Sequence, residues 1–264
     1  MLRALAITGV LAATVSACAV AARDSEAADT RSLRAHEPSW YVLGRYSTTV
    51  KPEELERNAN IDLGTRRVDG SVIPPGKRWS FNQRVGERSF ERGYRAAPTL
   101  TIEGKRAAVG GGICLVSSVV FNAVLLADLA IIQRAPHSRP IPYVPLGRDA
   151  TVSFGHHDLV VENGHPFPVR LRAWMDGSRI TVEVLGTARL AHEIALETAD
   201  EEPASLRREI QALPTGDDKI RIGGVWVRLY RHRKRHGSVV ATERIGTSSY
   251  YPFRIVPRDE RRSP

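Results

Sequence analysis

Cysteine is nearly absent: Cys18 and Cys114 are the only two in 264 residues. Two thiols exclude a disulfide-dense scaffold and a four-cysteine zinc site. No stretch reaches the roughly 20 apolar residues needed to span a bilayer as a helix, which excludes a polytopic membrane protein. There is no internal repeat or low-complexity tract, and glycine (21) and proline (16) are too few for a collagen-like chain. What remains is ordinary globular composition with a net charge of +9, which favours anionic partners such as nucleic acid, acidic lipid or an envelope polymer.

The first residues read as an address. Met1-Leu2-Arg3 supplies a positive charge and Ala4 to Val15 an apolar run, followed by small residues and the polar Arg23-Asp24-Ser25-Glu26. That order is a secretory signal, too short for an anchor. Val15-Ser16-Ala17-Cys18 resembles a lipoprotein lipobox, which would lipidate Cys18; cleavage after Ala19-Val20-Ala21 would instead discard it. Either outcome leaves Cys114 without a partner in the chain. An unpaired thiol in an exported protein is either a small buried hydrophobe or a nucleophile.

Hydrophobic periodicity and turn residues predict an α+β fold. Antiparallel strands pack around a buried, glycine-hinged helix, and a small β module follows. The expected divisions are a signal at 1–18, a polar tether at 19–38, an α+β domain at 39–187, a polar linker at 188–219 and a β module at 220–257. Residues 39–48 alternate as a strand, and Lys51-Pro52-Glu53-Glu54 opens a helix that stops before Asp69-Gly70. Pro98 to Val109 forms a hairpin around Glu103-Gly104-Lys105. Gly110 to Ala127 is apolar nearly all round, a buried helix by its length, with a central strand as the competitor. Strands at 151–154, 158–162, 169–174 and 179–184 are separated by Gly155, Asn163-Gly164 and Asp176-Gly177, an antiparallel meander. Two further strands lie at 219–230 and 239–245, about a turn at Gly237.

Several strings in this layout stand out: Tyr46-Ser47-Thr48, Pro75-Gly76-Lys77-Arg78-Trp79-Ser80-Phe81-Asn82 and Gly93-Tyr94-Arg95-Ala96-Ala97-Pro98, then Gly110-Gly111-Gly112-Ile113-Cys114-Leu115-Val116-Ser117-Ser118. His137-Ser138-Arg139-Pro140 and the run from Tyr143 to Val152 complete them. Through these strings residues 45–186 resemble the VanW family. Leu115 departs from the glutamine usual in the family after the cysteine, and Ser117-Ser118 from two threonines. The resemblance implies a role in the bacterial envelope.

The chemistry suggested by these residues centres on Cys114. A glycine turn delivering a thiol to a helix start favours the thiolate, because unpaired N–H groups place about half a positive charge there. N–H groups from Gly111, Gly112 and Ile113 are the candidate oxyanion donors. His137 follows the helix as candidate base, and Asp149 as the acid that orients it. Cys114 as helix packing, His137 as a loop residue and Asp149 as a strand cap are the bland counterparts, and Ser117 and Ser118 are expected to hydrogen-bond back into the helix. No Lys-Ser/Thr follows the three glycines, so a phosphate loop is not indicated. His156 and Asp158 share a strand face that His157 does not, two ligands where zinc needs three or four, so no metal and no cofactor is expected. In Arg228 to His236, Arg231, Arg233 and Arg235 are candidates for binding an anionic envelope component.

Two functions follow. One is an exported cysteine acyltransferase or hydrolase acting on peptide or amide bonds of peptidoglycan. The other is a non-catalytic envelope-binding lipoprotein that holds its polymer through the basic hairpin. Both place the chain against peptidoglycan or a similar anionic polymer, at a membrane through a lipid anchor, and away from nucleic acid.

Overall fold

The computed structural model describes residues 39–101, 104–201, 221–222, 225–250 and 253–254. The signal, the tether and Cys18 lie outside the described residues, as does most of 202–224. In chain order the elements are β1 (Tyr41–Thr49), α1 (Leu55–Val68), β2 (Val72–Ile73), β3 (Arg78–Ser80), α2 (Phe81–Val85), β4 (Ala96–Thr101), β5 (Gly104–Val109), α3 (Ile113–Leu126), β6 (Ala130–Gln133), β7 (Val160–Glu162), β8 (Val169–Asp176), β9 (Arg179–Gly186), β10 (Glu193–Glu201), β11 (Arg221–Ile222), β12 (Val225–Arg235), β13 (Ser238–Tyr250) and β14 (Phe253–Arg254). The fold is α+β and strand-rich, with every pairing antiparallel.

The main sheet runs β1-β9-β8-β2. Its inner strand β9 is buried along Ile180–Gly186, which explains the near-continuous apolar run of Ile180, Val182, Val184 and Leu185. Helix α3 crosses β1 and β9. Its many β-branched residues favour strand in isolation, but burial against the sheet outweighs a propensity difference of about half a kcal/mol each. At the crossing, a Cβ on Gly44 would stand 2.4 Å from the Ala123 carbonyl oxygen and 2.5 Å from the Ala127 nitrogen. Backbone on both sides leaves nothing to move aside. Gly44→Ala is therefore expected to lower the denaturation midpoint strongly, and far more than the open-space change Gly246→Ala.

Three sequence expectations are corrected. Residues 158–162 do not join a meander with β8 and β9: β7 sits between β3 and β6 in a separate sheet. Residues 151–154 form isolated bridges, Ala135 with Thr151 and Ser153 with His157, because Gly155 at φ +81° turns the chain back at once. Residues 193–201, assigned to the polar linker, form β10 and pair with β12. Their acidic side chains mislead because this strand is half-exposed at the edge of its sheet, β10-β12-β13. The turn between β12 and β13 is as expected: His236 (φ 50°) and Gly237 (φ 79°) give two successive left-handed residues, the hairpin-compatible geometry.

Candidate active site

Helix α3 starts after Gly112, which sits at φ 104° with no side-chain cap on the helix. A Cβ there would meet Arg57 Cγ at 2.8 Å and Ile61 Cγ1 at 3.0 Å, so both conformation and space call for glycine. Cys114 is thus in the first turn, half-buried, and is free. It borders a cleft of about 830 Å³ whose walls include His137, Tyr143, Arg88 and Gly110 to Gly112.

The polar face of α3 is laid against an extended segment running antiparallel to it. The Cys114 thiol donates to Val152 O at 3.5 Å. One turn on, Ser117 donates to Ala150 O at 2.6 Å, and Ser118 Oγ accepts from Ala150 N at 2.9 Å while donating to Cys114 O at 2.7 Å. A turn further, Asn122 donates to Arg148 O at 2.8 Å and accepts from Arg148 Nε at 2.6 Å. Every second residue of 148–152 is therefore matched to one turn of the helix. Ser117 and Ser118 hydrogen-bond locally, as expected, and also across to this segment.

Alternation turns Asp149 away from the helix and toward His137. Its side chain is fully buried, and each carboxylate oxygen accepts twice. Oδ2 takes the backbone N–H of His137 at 2.5 Å and its Nδ1 at 2.7 Å. Oδ1 takes Arg134 Nη2 at 3.0 Å and the Tyr250 hydroxyl at 2.6 Å. With Nδ1 held by Asp149, the other ring nitrogen of His137 is left for Cys114, which borders the same cleft. The structure thus brings Cys114 and His137 to one cleft, with Asp149 buried behind the imidazole.

Their protonation is interdependent. Burial disfavours a charged His137, but the hydrogen bonds to Asp149 and Cys114 outweigh it and push its pKa up to about 9. Burial likewise raises the Cys114 thiol, yet the His137 hydrogen bond and charge bring it below its ordinary value. Asp149 stays well ionised despite burial, because His137 and Arg134 stabilise its charge. All three shifts favour a thiolate–imidazolium pair.

Of the candidate oxyanion donors, two are already used. The Gly111 N–H donates to Ala108 O at 3.1 Å and the Ile113 N–H to Gly110 O at 3.2 Å. Among the described residues no hydrogen bond engages the N–H of Gly112 or of Cys114 itself.

The basic hairpin is a correction. Arg231 is 1% exposed and donates to Leu129 O at 2.7 Å and to Glu243 at 2.8 Å, with Asp128 at 3.3 Å. Arg233 is paired with Asp128 at 2.7 Å and Glu243 at 3.0 Å. Position on the inner face of β12 carries the first of these inward, so a run of arginines does not make a continuous basic surface. Arg235, near His192 at 3.4 Å, is the exposed one of the three. The His156-His157-Asp158 string also turns structural: Asp158 binds the Ser80 hydroxyl and accepts from Asn82 N at 2.9 Å. Among the described residues no group of histidine, cysteine and acidic side chains is placed to hold a metal.

Two site residues are not indicated by the sequence. Arg134 also donates to Asp149 O at 2.7 Å and Ser248 Oγ at 2.8 Å, over the Phe121 ring at 5.3 Å. Tyr250 comes from the end of β13, 101 residues beyond Asp149.

Against known proteins, the family described as VanW-like protein matches residues 56–185. The uncharacterized protein YoaR of Bacillus subtilis is 38% identical over 170 residues, 64% of this chain and 55% of that protein. The vancomycin B-type resistance protein VanW of Enterococcus faecalis is 29% identical over 130 residues, 47% of each. The chain spans about half the length of the curated relatives it matches. No solved structure matches it.

Proposed function

Since residues 56–185 belong to the VanW-like family, we propose that the chain is a cysteine-dependent acyltransferase or hydrolase of the cell envelope, acting on peptide or amide bonds of peptidoglycan. The observation that carries this reading is the His137 imidazole, held by buried Asp149, lining the same cleft as Cys114. In the reaction, the Cys114 thiolate attacks the carbonyl carbon, and the N–H groups of Gly112 and Cys114 donate to the oxygen as it gains charge. The carbon–nitrogen bond breaks as the His137 imidazolium passes its proton to the departing amine. A thioester remains. His137, now neutral, takes a proton from water or an acceptor amine, whose attack releases the acyl group and restores the thiolate. Asp149 holds the imidazole in one tautomer throughout.

The test is the alkylation rate of Cys114 against pH, read by mass spectrometry of its own peptide so that Cys18 does not interfere. The midpoint is expected below the free-thiol value of about 8.5, and His137→Ala is expected to raise it. A thiol inert until denaturation would overturn the reading. Turnover, once a substrate is found, should rise with pH as Cys114 ionises. It should fall again near 9, where His137 loses the proton it gives to the leaving amine.

Peptidoglycan as substrate goes with export and a lipid on Cys18. Cys18→Ala is then expected to move the protein from the membrane to the soluble fraction while leaving Cys114 reactivity unchanged. Retention in the membrane fraction would count against the anchor. The alternative of polymer binding through the hairpin is left with Arg235 alone of its three arginines.

A further inference from the structure

The Asp149 carboxylate is held from two directions. Its Oδ2 faces His137, whereas its Oδ1 faces Arg134 and Tyr250. Tyr250 is 2% exposed, and its hydroxyl accepts the Gly147 N–H at 2.7 Å. With an acceptor position so occupied, the hydroxyl proton is aimed at Asp149 Oδ1 at 2.6 Å. Two residues earlier on the same face of β13, Ser248 accepts from Arg134 Nη1 at 2.8 Å. One strand therefore supplies one partner of Oδ1 and helps to hold the other. Ser248 and Tyr250 lie outside residues 56–185, the stretch matched by the family.

Without the Tyr250 hydroxyl, Oδ1 keeps only Arg134. Arginine prefers to engage both oxygens of a carboxylate at once, so the group is then free to turn its second oxygen from His137 toward the guanidinium. We propose that Tyr250 is a positioning residue of this site, holding Asp149 in the rotation that serves His137, and that the C-terminal sheet is through it a working part of the site. This rests on the reading of Cys114, His137 and Asp149 as a relay. Tyr250 touches neither the thiol nor the imidazole; it acts through the carboxylate.

The variant Tyr250→Phe keeps the ring and removes the hydroxyl. In the full chain, the midpoint for Cys114 alkylation is expected to rise by about one pH unit, a roughly tenfold slower reaction at pH 7. The deshielded proton signal of His137 Nδ1–H, assigned by its loss in His137→Ala, is expected to weaken or move upfield. A purely structural tyrosine would lower thermal stability and move neither. A folded Tyr250→Phe with an unchanged midpoint and an unchanged Nδ1–H signal would overturn the proposal and leave the relay standing. If the wild-type thiol is itself inert, the relay fails, and the Nδ1–H signal alone decides whether Tyr250 orients Asp149. Should Tyr250→Phe not fold, Ser248→Ala withdraws the Arg134 anchor instead and should shift the same two readings in the same sense, by less. No shift there would equally overturn it.

Discussion

Asp149→Asn is expected to return the Cys114 midpoint to the free-thiol value of about 8.5 and to destabilise the fold by about 3–5 kcal/mol. The substitution is nearly isosteric, so the loss is one of hydrogen-bond sense. Four donors converge on the two oxygens of Asp149: the backbone N–H and Nδ1–H of His137, Arg134 and Tyr250. An amide offers one acceptor oxygen and one NH2. Whichever way it is turned, an NH2 group faces two donors, and Arg134, 8% exposed, loses its counter-charge. Turning the oxygen toward Arg134 sets the NH2 against His137, which then flips to the tautomer carrying its proton on the wrong nitrogen. In the serine-triad template that error costs on the order of 10⁴ in rate. Urea denaturation measures the first effect and alkylation against pH the second. A variant as stable as the parent, with the midpoint unmoved, would remove Asp149 from both roles.

Arg231→Ala should be comparably damaging, about 3–5 kcal/mol, although nothing in the run Arg228 to His236 distinguishes this arginine from its neighbours. Its guanidinium lies at the far end of α3 from Cys114, donating to the carbonyls of Leu129 at 2.7 Å and Leu125 at 3.5 Å, and to Glu243. Leu125 is in the last turn of α3 and Leu129 just beyond it, so the cation meets the negative end of the helix dipole. Removing it takes the side-chain donor from the Leu129 carbonyl and leaves Arg233 as the one arginine beside both Asp128 and Glu243. Arg231→Met should recover part of the loss by filling the volume. Arg235→Ala, in contrast, is expected to change stability by no more than about 0.5 kcal/mol. Equal effects at 231 and 235 would show that burial does not separate them.

The sequence was most legible where local chemistry decides the structure. Glycine, asparagine and aspartate marked the turns, Lys51-Pro52-Glu53-Glu54 and Asp69-Gly70 marked the two ends of α1, and a nearly all-apolar run marked the buried α3. Cys114, His137 and Asp149 stood out because each is an unusual residue beside an element boundary. Arg134 and Tyr250 carried no such sign. An arginine after a short strand and a tyrosine near a strand end are commonplace, and both acquire meaning from the partner that the fold brings to them. The same applies to β7, whose apolar pattern said that it would be buried but not in which sheet. Composition misled at β10, where an edge strand with acidic side chains looks like a linker. On the hairpin, charge was legible and facing was not: alternation along β12 sends Arg231 inward, and a count of arginines cannot register that.

The contact between α3 and residues 148–152 sets a rule for how this site can change length. Four helical residues advance about 6 Å and two extended residues about 6.6 Å, so the two repeats keep step over the span from Cys114 to Asn122. It behaves as a pair of matched rulers. Removing one residue from 148–152 slides the scale by half a division and swaps which side chains face the helix, carrying the Asp149 carboxylate away from His137. Adding a full helical turn between Cys114 and Ser117 moves the thiol one division along, and two extra residues between Ala150 and Val152 restore its neighbour. Indels here are therefore tolerated only as coupled steps of four and two, and a library of paired insertions scored for Cys114 reactivity would make that spacing visible.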